Sequence, residues 1–288
     1  MAGTITASDL AKVQDIEMIL QFEQGVGELL KVLDIAQPEI LAAGTQLVQY
    51  TTSGTLESGA VEEGATIPLS DYSIAKGEPY VVTLKKWAKA TTAEAILKSG
   101  FEAAVGKTDR KMVRQIQADI RTDFFGLLAN GTGTATGTNF QSALANAWGA
   151  VANSLSNGDV DGTPIFFVNP LDVAAYLGAA TVNNVETAFG FTYLSNFLGI
   201  GTAIIDAKVP AGTIYATPVE NINAYACDLG ALAQSGLVYE TADETNLIGV
   251  HHQGDYSNAK AFTYAASGLL LFPENASYIV KSTVSAGA

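Results

Sequence analysis

Apolar residues recur at helical spacing near the start of the chain, where Leu10, Val13, Ile16 and Leu20 follow Ser8-Asp9, a pair suited to a helix start. Gly25 and Gly27 weaken this helix, and Pro38 bars its continuation past Leu33-Asp34. The segment is too short to build a core alone and reads as an arm. Two strand-like runs follow at 46–52 and 80–90, the second with Tyr80, Val82, Leu84 and Lys86 on one face. Between them lies a polar stretch punctuated by Gly54, Gly59, Gly64, Pro68 and Gly77. Together these features predict one long two-stranded excursion. A lone pair of strands has nowhere to bury its apolar face. Val61, Ile67, Leu69, Tyr72 and Ile74 therefore require a partner surface, and a neighbouring subunit is the expected source.

The strongest helical pattern comes next. Met112, Val113, Ile116, Ile120, Phe124, Leu127 and Leu128 recur every three to four residues with Lys and Arg between them. A helix over 107–129 would be roughly 34 Å long at 1.5 Å per residue. Asn130-Gly131 is the expected left-handed stop, followed by a loop over 131–137 and a helix over 140–152. The run 163–168 is apolar throughout and reads as a strand leading into Asn169-Pro170-Leu171-Asp172. There Asn caps a helix, Pro takes its first position and Asp its first turn. Strands then dominate, around 202–205, 213–217, 224–227, 236–240, 247–253, 261–271 and 278–283. Helices and strands are partly segregated, which is α+β organisation. No repeat of 20 to 50 residues is visible.

Composition narrows the function classes. The chain has 288 residues and 30.0 kDa, is 48% hydrophobic and only 15% charged. Ordinary domains carry roughly 25% charge, so much of this surface is expected to lie against other protein. No apolar run is long enough for a membrane helix, and no signal peptide is visible at the start. Cys227 is the single cysteine, so a reducing, cytosolic site of synthesis fits. The net charge is −14, unsuited to gripping nucleic acid through phosphate neutralisation. Its distribution is uneven. Ten basic residues face five acidic ones between Lys76 and Arg121, whereas three lysines face thirteen acids from Thr122 onward.

Candidate chemistry is sparse. The 131–137 stretch has the wrong glycine spacing for a phosphate loop and leaves a helix where a dinucleotide fingerprint leaves a strand. His251 and His252 are adjacent in a strand, so they point to opposite faces and cannot both ligate one metal without a bulge. There is no Gly-x-Ser-x-Gly elbow. Glu62-Glu63 and Asp243-Glu244 sit in polar segments as solvated charge. These residues give no catalytic, cofactor-binding or metal site, and the chain reads as a structural protein rather than an enzyme.

The order of elements carries a resemblance. Val61-Glu62-Glu63-Gly64-Ala65 through Trp87-Ala88-Lys89-Ala90, the helix ending Leu127-Leu128-Ala129-Asn130-Gly131-Thr132-Gly133, the junction Phe167-Val168-Asn169-Pro170-Leu171-Asp172, and Leu198-Gly199-Ile200-Gly201 through Asp206 to Thr213 follow one another in a specific sequence. In that order they resemble the major capsid protein of tailed bacteriophages, the Hong-Kong-97-type capsid fold shared with encapsulins and herpesvirus capsid floors. The resemblance implies an N-arm over 1–45 and an E-loop over 46–92. It implies a peripheral domain with a spine helix over 93–150 and 246–288, and an axial domain over 151–245. It also implies self-assembly into hexamers and pentamers of an icosahedral virion shell around double-stranded DNA, formed in the bacterial host cytoplasm.

Partners implied in this way are other copies of the chain, a portal protein, packaged DNA without sequence specificity and an optional decoration protein. No cofactor and no membrane are implied. The start at Met1 leads to the expectation of a separate scaffolding protein. Ile67, Leu69, Tyr72 and Ile74 are the expected intersubunit contacts. Lys107, Arg110, Lys111, Arg114 and Arg121, with Lys85, Lys86 and Lys89, form the expected lumen-facing basic face. Thr66-Ile67-Pro68 stands where cross-linking relatives place a lysine, so no covalent cross-link is expected. An encapsulin-type compartment and an α+β enzyme or binding module are the alternative readings.

Overall fold

The computed structural model describes residues 7–35, 37–158, 160–177, 186–188, 191–197, 199–241 and 247–285. In chain order these form α1 (Ala7–Val32), β1 (Glu39–Leu41), β2 (Gln46–Thr55), β3 (Asp71–Val81), β4 (Lys85–Thr92) and α2 (Ala93–Ser99). A π-helical turn (Glu102–Gly106) then runs into α3 (Lys107–Leu128). Next are β5 (Gly133–Gly137), α4 (Phe140–Asn157), β6 (Pro164–Val168), α5 (Pro170–Leu177), β7 (Glu186–Ala188), β8 (Phe191–Phe197) and β9 (Gly201–Ile205). The chain ends with β10 (Thr213–Pro218), β11 (Ile222–Cys227), β12 (Gly249–Asp255), β13 (Lys260–Ser267), β14 (Leu270–Pro273) and β15 (Val280–Val284).

A seven-stranded mixed sheet in the order β5-β15-β10-β6-β9-β8-β7 organises the larger part of the molecule. Its central strand β6 is apolar in every position because both of its faces are covered. Ile165 and Phe167 join the core beneath α3, where Phe167 meets Phe124 edge-on at 5.2 Å. Phe166 and Val168 join the core beneath α4, with Leu144, Val151 and Val280. A three-stranded sheet β12-β13-β4 carries α1 on β12, and Lys85, Trp87 and Lys89 of β4 reach Asp123, Asp119 and Asp109 of α3. A second three-stranded sheet, β1-β11-β14, closes a third apolar cluster around Phe272, Tyr225 and Val82. β2 and β3 form a two-stranded sheet of their own.

Several sequence expectations change here. In the segment read as an arm, Met18, Ile19, Phe22, Leu29, Leu30 and Leu33 pack into the principal core. The hairpin does not return on one strand over 80–90: β2 pairs with β3, which lies mostly in the stretch read as a polar connection, and 85–90 falls in β4, paired with β13. Val82 breaks the run: it is buried, and its backbone bonds Thr45 and Gly44 at 2.8 Å, turning the chain from hairpin to sheet. The run 261–271 divides at Gly268, where a Cβ would lie 2.4 Å from the Cys227 sulfur.

The 131–137 loop is mostly strand β5, paired parallel to β15. The helix before it stops without a left-handed residue, as Ala129 keeps φ −64. Gly131 is required instead by close approach, because a Cβ there would lie 2.5 Å from Ile279. α4 extends beyond 152 to Asn157, started by a capping box between Asn139 and Ser142. The stretch 236–240 is irregular apart from one bridge at Glu240.

Candidate assembly surfaces

The β2–β3 hairpin is rooted firmly and then leaves its own chain. At its base Gln49 donates to the Pro273 carbonyl at 2.8 Å, and the Tyr50 amide donates to the Glu274 carbonyl at 2.9 Å. Further out, none of the described residues covers its apolar side chains. Ile67, Leu69, Tyr72 and Ile74 are 69%, 93%, 66% and 67% exposed. Between the hairpin and the body is a cleft of about 930 Å³ whose lining includes Tyr72, Ile74 and Val160. Asp161, Glu220 and Glu274 also line it, with no basic side chain among the described lining residues.

The expected basic face is smaller than the sequence implied. Lys107, Lys111 and Arg114 are exposed along α3. Arg110 pairs with Glu102 at 2.6 Å. Arg121 leaves the solvent-exposed set altogether: it forms an ion pair with Asp206 at 2.9 Å, with 13% and 6% of the two side chains exposed. Its helical phase matches the others, but the end of α3 runs under the turn after β9, where Asp206 sits. On β4, Lys85 pairs with Asp123 at 2.6 Å and Lys89 with Asp109 at 2.8 Å, while Lys86 is exposed.

The histidines do point to opposite faces. His251 lies flat over Tyr264 on the outer side of its sheet, with ring centroids 6.4 Å apart. His252 is 8% exposed beneath α1 and α3, where Nδ1 meets the Asp15 carboxylate and Nε2 lies 3.4 Å from Asp109 Oδ2. Burial alone would lower the His252 pKa, but hydrogen bonds to Asp109 and Asp15 hold it up at about 9. Burial alone would raise the Asp109 pKa, yet His252 and Lys89 hold it below the ordinary carboxylate value.

Sequence reasoning missed this cluster, because its members lie on four separate elements. The single available sign was Asp15 on the apolar face of α1. Lys89 fills the side of Asp109 that a cation would need, and no group of three or more metal-ligating side chains is arranged for a metal among the described residues. Cys227 is buried, which raises its thiol pKa. Glu62 and Glu63 are exposed; Asp243 and Glu244 lie outside the described residues.

No protein-family model and no curated protein matches the sequence. Solved structures do match the fold. The capsid of cyanophage A-1(L) aligns with a TM-score of 0.53 at 11% identity, covering 90% of this chain and 93% of that one. The virus-like particle from Pyrococcus furiosus aligns at 0.51 and 12% identity, covering 92% and 97%. The SrpI encapsulin complex of Synechococcus elongatus aligns at 0.51 and 13%, covering 88% and 86%. The chain has the Hong-Kong-97-type capsid fold, with α+β organisation as its sequence implied.

Proposed function

We propose that this chain is the major capsid subunit of a tailed phage, a non-enzymatic protein that assembles as hexamers and pentamers into an icosahedral shell around double-stranded DNA. The observation that carries this reading is the β2–β3 hairpin, hydrogen-bonded to the body at its base, with four large apolar side chains that the described residues leave exposed. On a fold used for shells, such an element acts as an E-loop laid on the neighbouring copy, with α3 as the spine helix beneath. In this reading residues 1–45 are the N-arm, 93–150 and 246–288 the peripheral domain, and 151–245 the axial domain.

Lys107, Lys111 and Arg114, with Lys86 and the paired Arg110, face the lumen in this reading. A small local excess of positive charge on an acidic protein tolerates DNA without holding it tightly. A scaffolding protein, a portal protein and a decoration protein are the further partners in this reading, and the virion is the destination. Size-exclusion chromatography with negative-stain microscopy tests the reading. Closed shells support it, and nucleic acid inside native particles separates a phage capsid from a protein-filled compartment. A stable monomer at assembly concentrations overturns it.

A further inference from the structure

The buried charge cluster is not used by the assembly reading, and its placement is unusual. Four elements meet there: Asp15 from α1, Asp109 from α3, Lys89 from β4 and His252 from β12. The side chains of Asp15 and His252 are only 5% and 8% exposed. Thr263, opposite His252 on β13, is buried on the same side. Thr108 and the Val105 carbonyl accept from Lys89 and complete its surroundings. At the rim, Glu17, Glu102 and Arg110 border a gap of about 110 Å³ that reaches Asp109 and gives solvent a route to the cluster.

α1 itself is built in two halves. Leu29, Leu30 and Leu33 anchor the second half in the core, and Met18, Ile19 and Phe22 anchor the first. Between them the helix passes through Gly25 and Gly27, its two weakest positions. The first half also carries apolar side chains on its outer side, since Ile16 and Leu20 are 43% and 58% exposed. Hydrophobicity favours the observed rotation through Met18, Ile19 and Phe22 while leaving Ile16 and Leu20 as apolar side chains for a neighbouring one. A buried Asp among apolar neighbours distinguishes well, because only one rotation gives it a partner.

We propose that residues 7–24 form a lever hinged at Gly25 and Gly27 and held shut by the Asp15–His252–Asp109–Lys89 cluster, so that loss of the histidine's charge frees the lever while the body stays folded. With His252 charged, two cations balance two carboxylates. Without that charge, Asp15 is a buried carboxylate facing a neutral ring, and Lys89 alone offsets both acids. A group whose pKa is raised on folding stabilises fully below its ordinary value, here 6.5, and loses that contribution as pH rises through about 9. Asp109, lowered on folding, adds a second release at acid pH, when its carboxylate takes up a proton.

The test is hydrogen exchange of the whole chain, with amide protection in 7–24 compared with that in α3 from pH 6.5 to beyond 9. In the native protein, protection of 7–24 should fall about tenfold across that range while α3 keeps its protection. In His252→Gln, which keeps the shape and loses the charge, 7–24 should be open already at pH 6.5 and show no further pH dependence. Asp15→Asn removes the lever's own carboxylate and should likewise leave 7–24 open at pH 6.5, which supplies the comparison if His252→Gln fails to fold. Unchanged protection of 7–24 in a folded variant would overturn the proposal, as would parallel loss in 7–24 and α3. Neither result bears on whether the chain forms shells.

Discussion

Replacing Ile67, Leu69, Tyr72 and Ile74 together with serine isolates the hairpin's work. All four side chains are largely exposed in the single chain, so the folded subunit loses almost no burial. Its melting temperature should stay within about 2 °C of the parent, as expected for surface substitutions. In an assembly each such side chain, once covered, contributes on the order of 1.5–3 kcal/mol. Four of them give roughly 6–12 kcal/mol per hairpin, comparable with the about 4–15 kcal/mol that association costs in lost freedom. The hairpin contact thus lies close to the balance point, and removing its apolar part should abolish closed shells at concentrations where the parent forms them. Sedimentation velocity of parent and variant, with a thermal melt of each, reads both quantities. Normal shells from the variant would refute the reasoning. So would a melting temperature lowered by more than about 5 °C, which would place these residues in the subunit's own core.

Phe167→Ala should destabilise the subunit by about 3–5 kcal/mol in chemical denaturation, because it empties a fully buried position between Phe124 and Phe125. Gly131→Ala should also destabilise, through contact with the Ile279 side chain and its backbone carbonyl rather than through backbone torsion. Lysine-directed labelling of intact particles should spare Lys107 and Lys111, and disrupting the particles should expose them; equal labelling of both forms would place this face outside. Boiled particles should run as a single band near 30.0 kDa with or without reductant. A ladder surviving reductant would mean covalent cross-links, for which the hairpin offers only Lys76, on its return strand.

The parts of the fold that were legible in sequence are those fixed by local pattern. The spacing from Met112 to Leu128 placed α3 within a residue of its true end, and Asn169-Pro170 placed the start of α5, where Asn169 Oδ1 accepts from the Leu171 amide at 2.8 Å. The uncovered hairpin was legible for the same reason, since two strands cannot supply their own third layer. What failed depended on distant partners. β5 looks like a loop because Gly133 is small for the sake of Val280, far away in the chain, while Gly137 makes room for the backbone of Ala143 in the helix that follows. Val82 ends a strand because Thr45 and Gly44 bond its backbone. Arg121 left the basic face because Asp206 meets it across the fold. The His252 cluster was invisible because its members span residues 15 to 252, and ordinary surface charge is the natural reading of each one alone.

Cryo-electron microscopy of purified particles tests the central claim most directly. The account predicts closed shells in which the Ile67–Leu69–Tyr72–Ile74 side of each hairpin lies on the adjacent copy, with the exposed end of α3 toward the interior. Particles that remain single subunits, or shells whose hairpins project into solvent with those side chains uncovered, would contradict it.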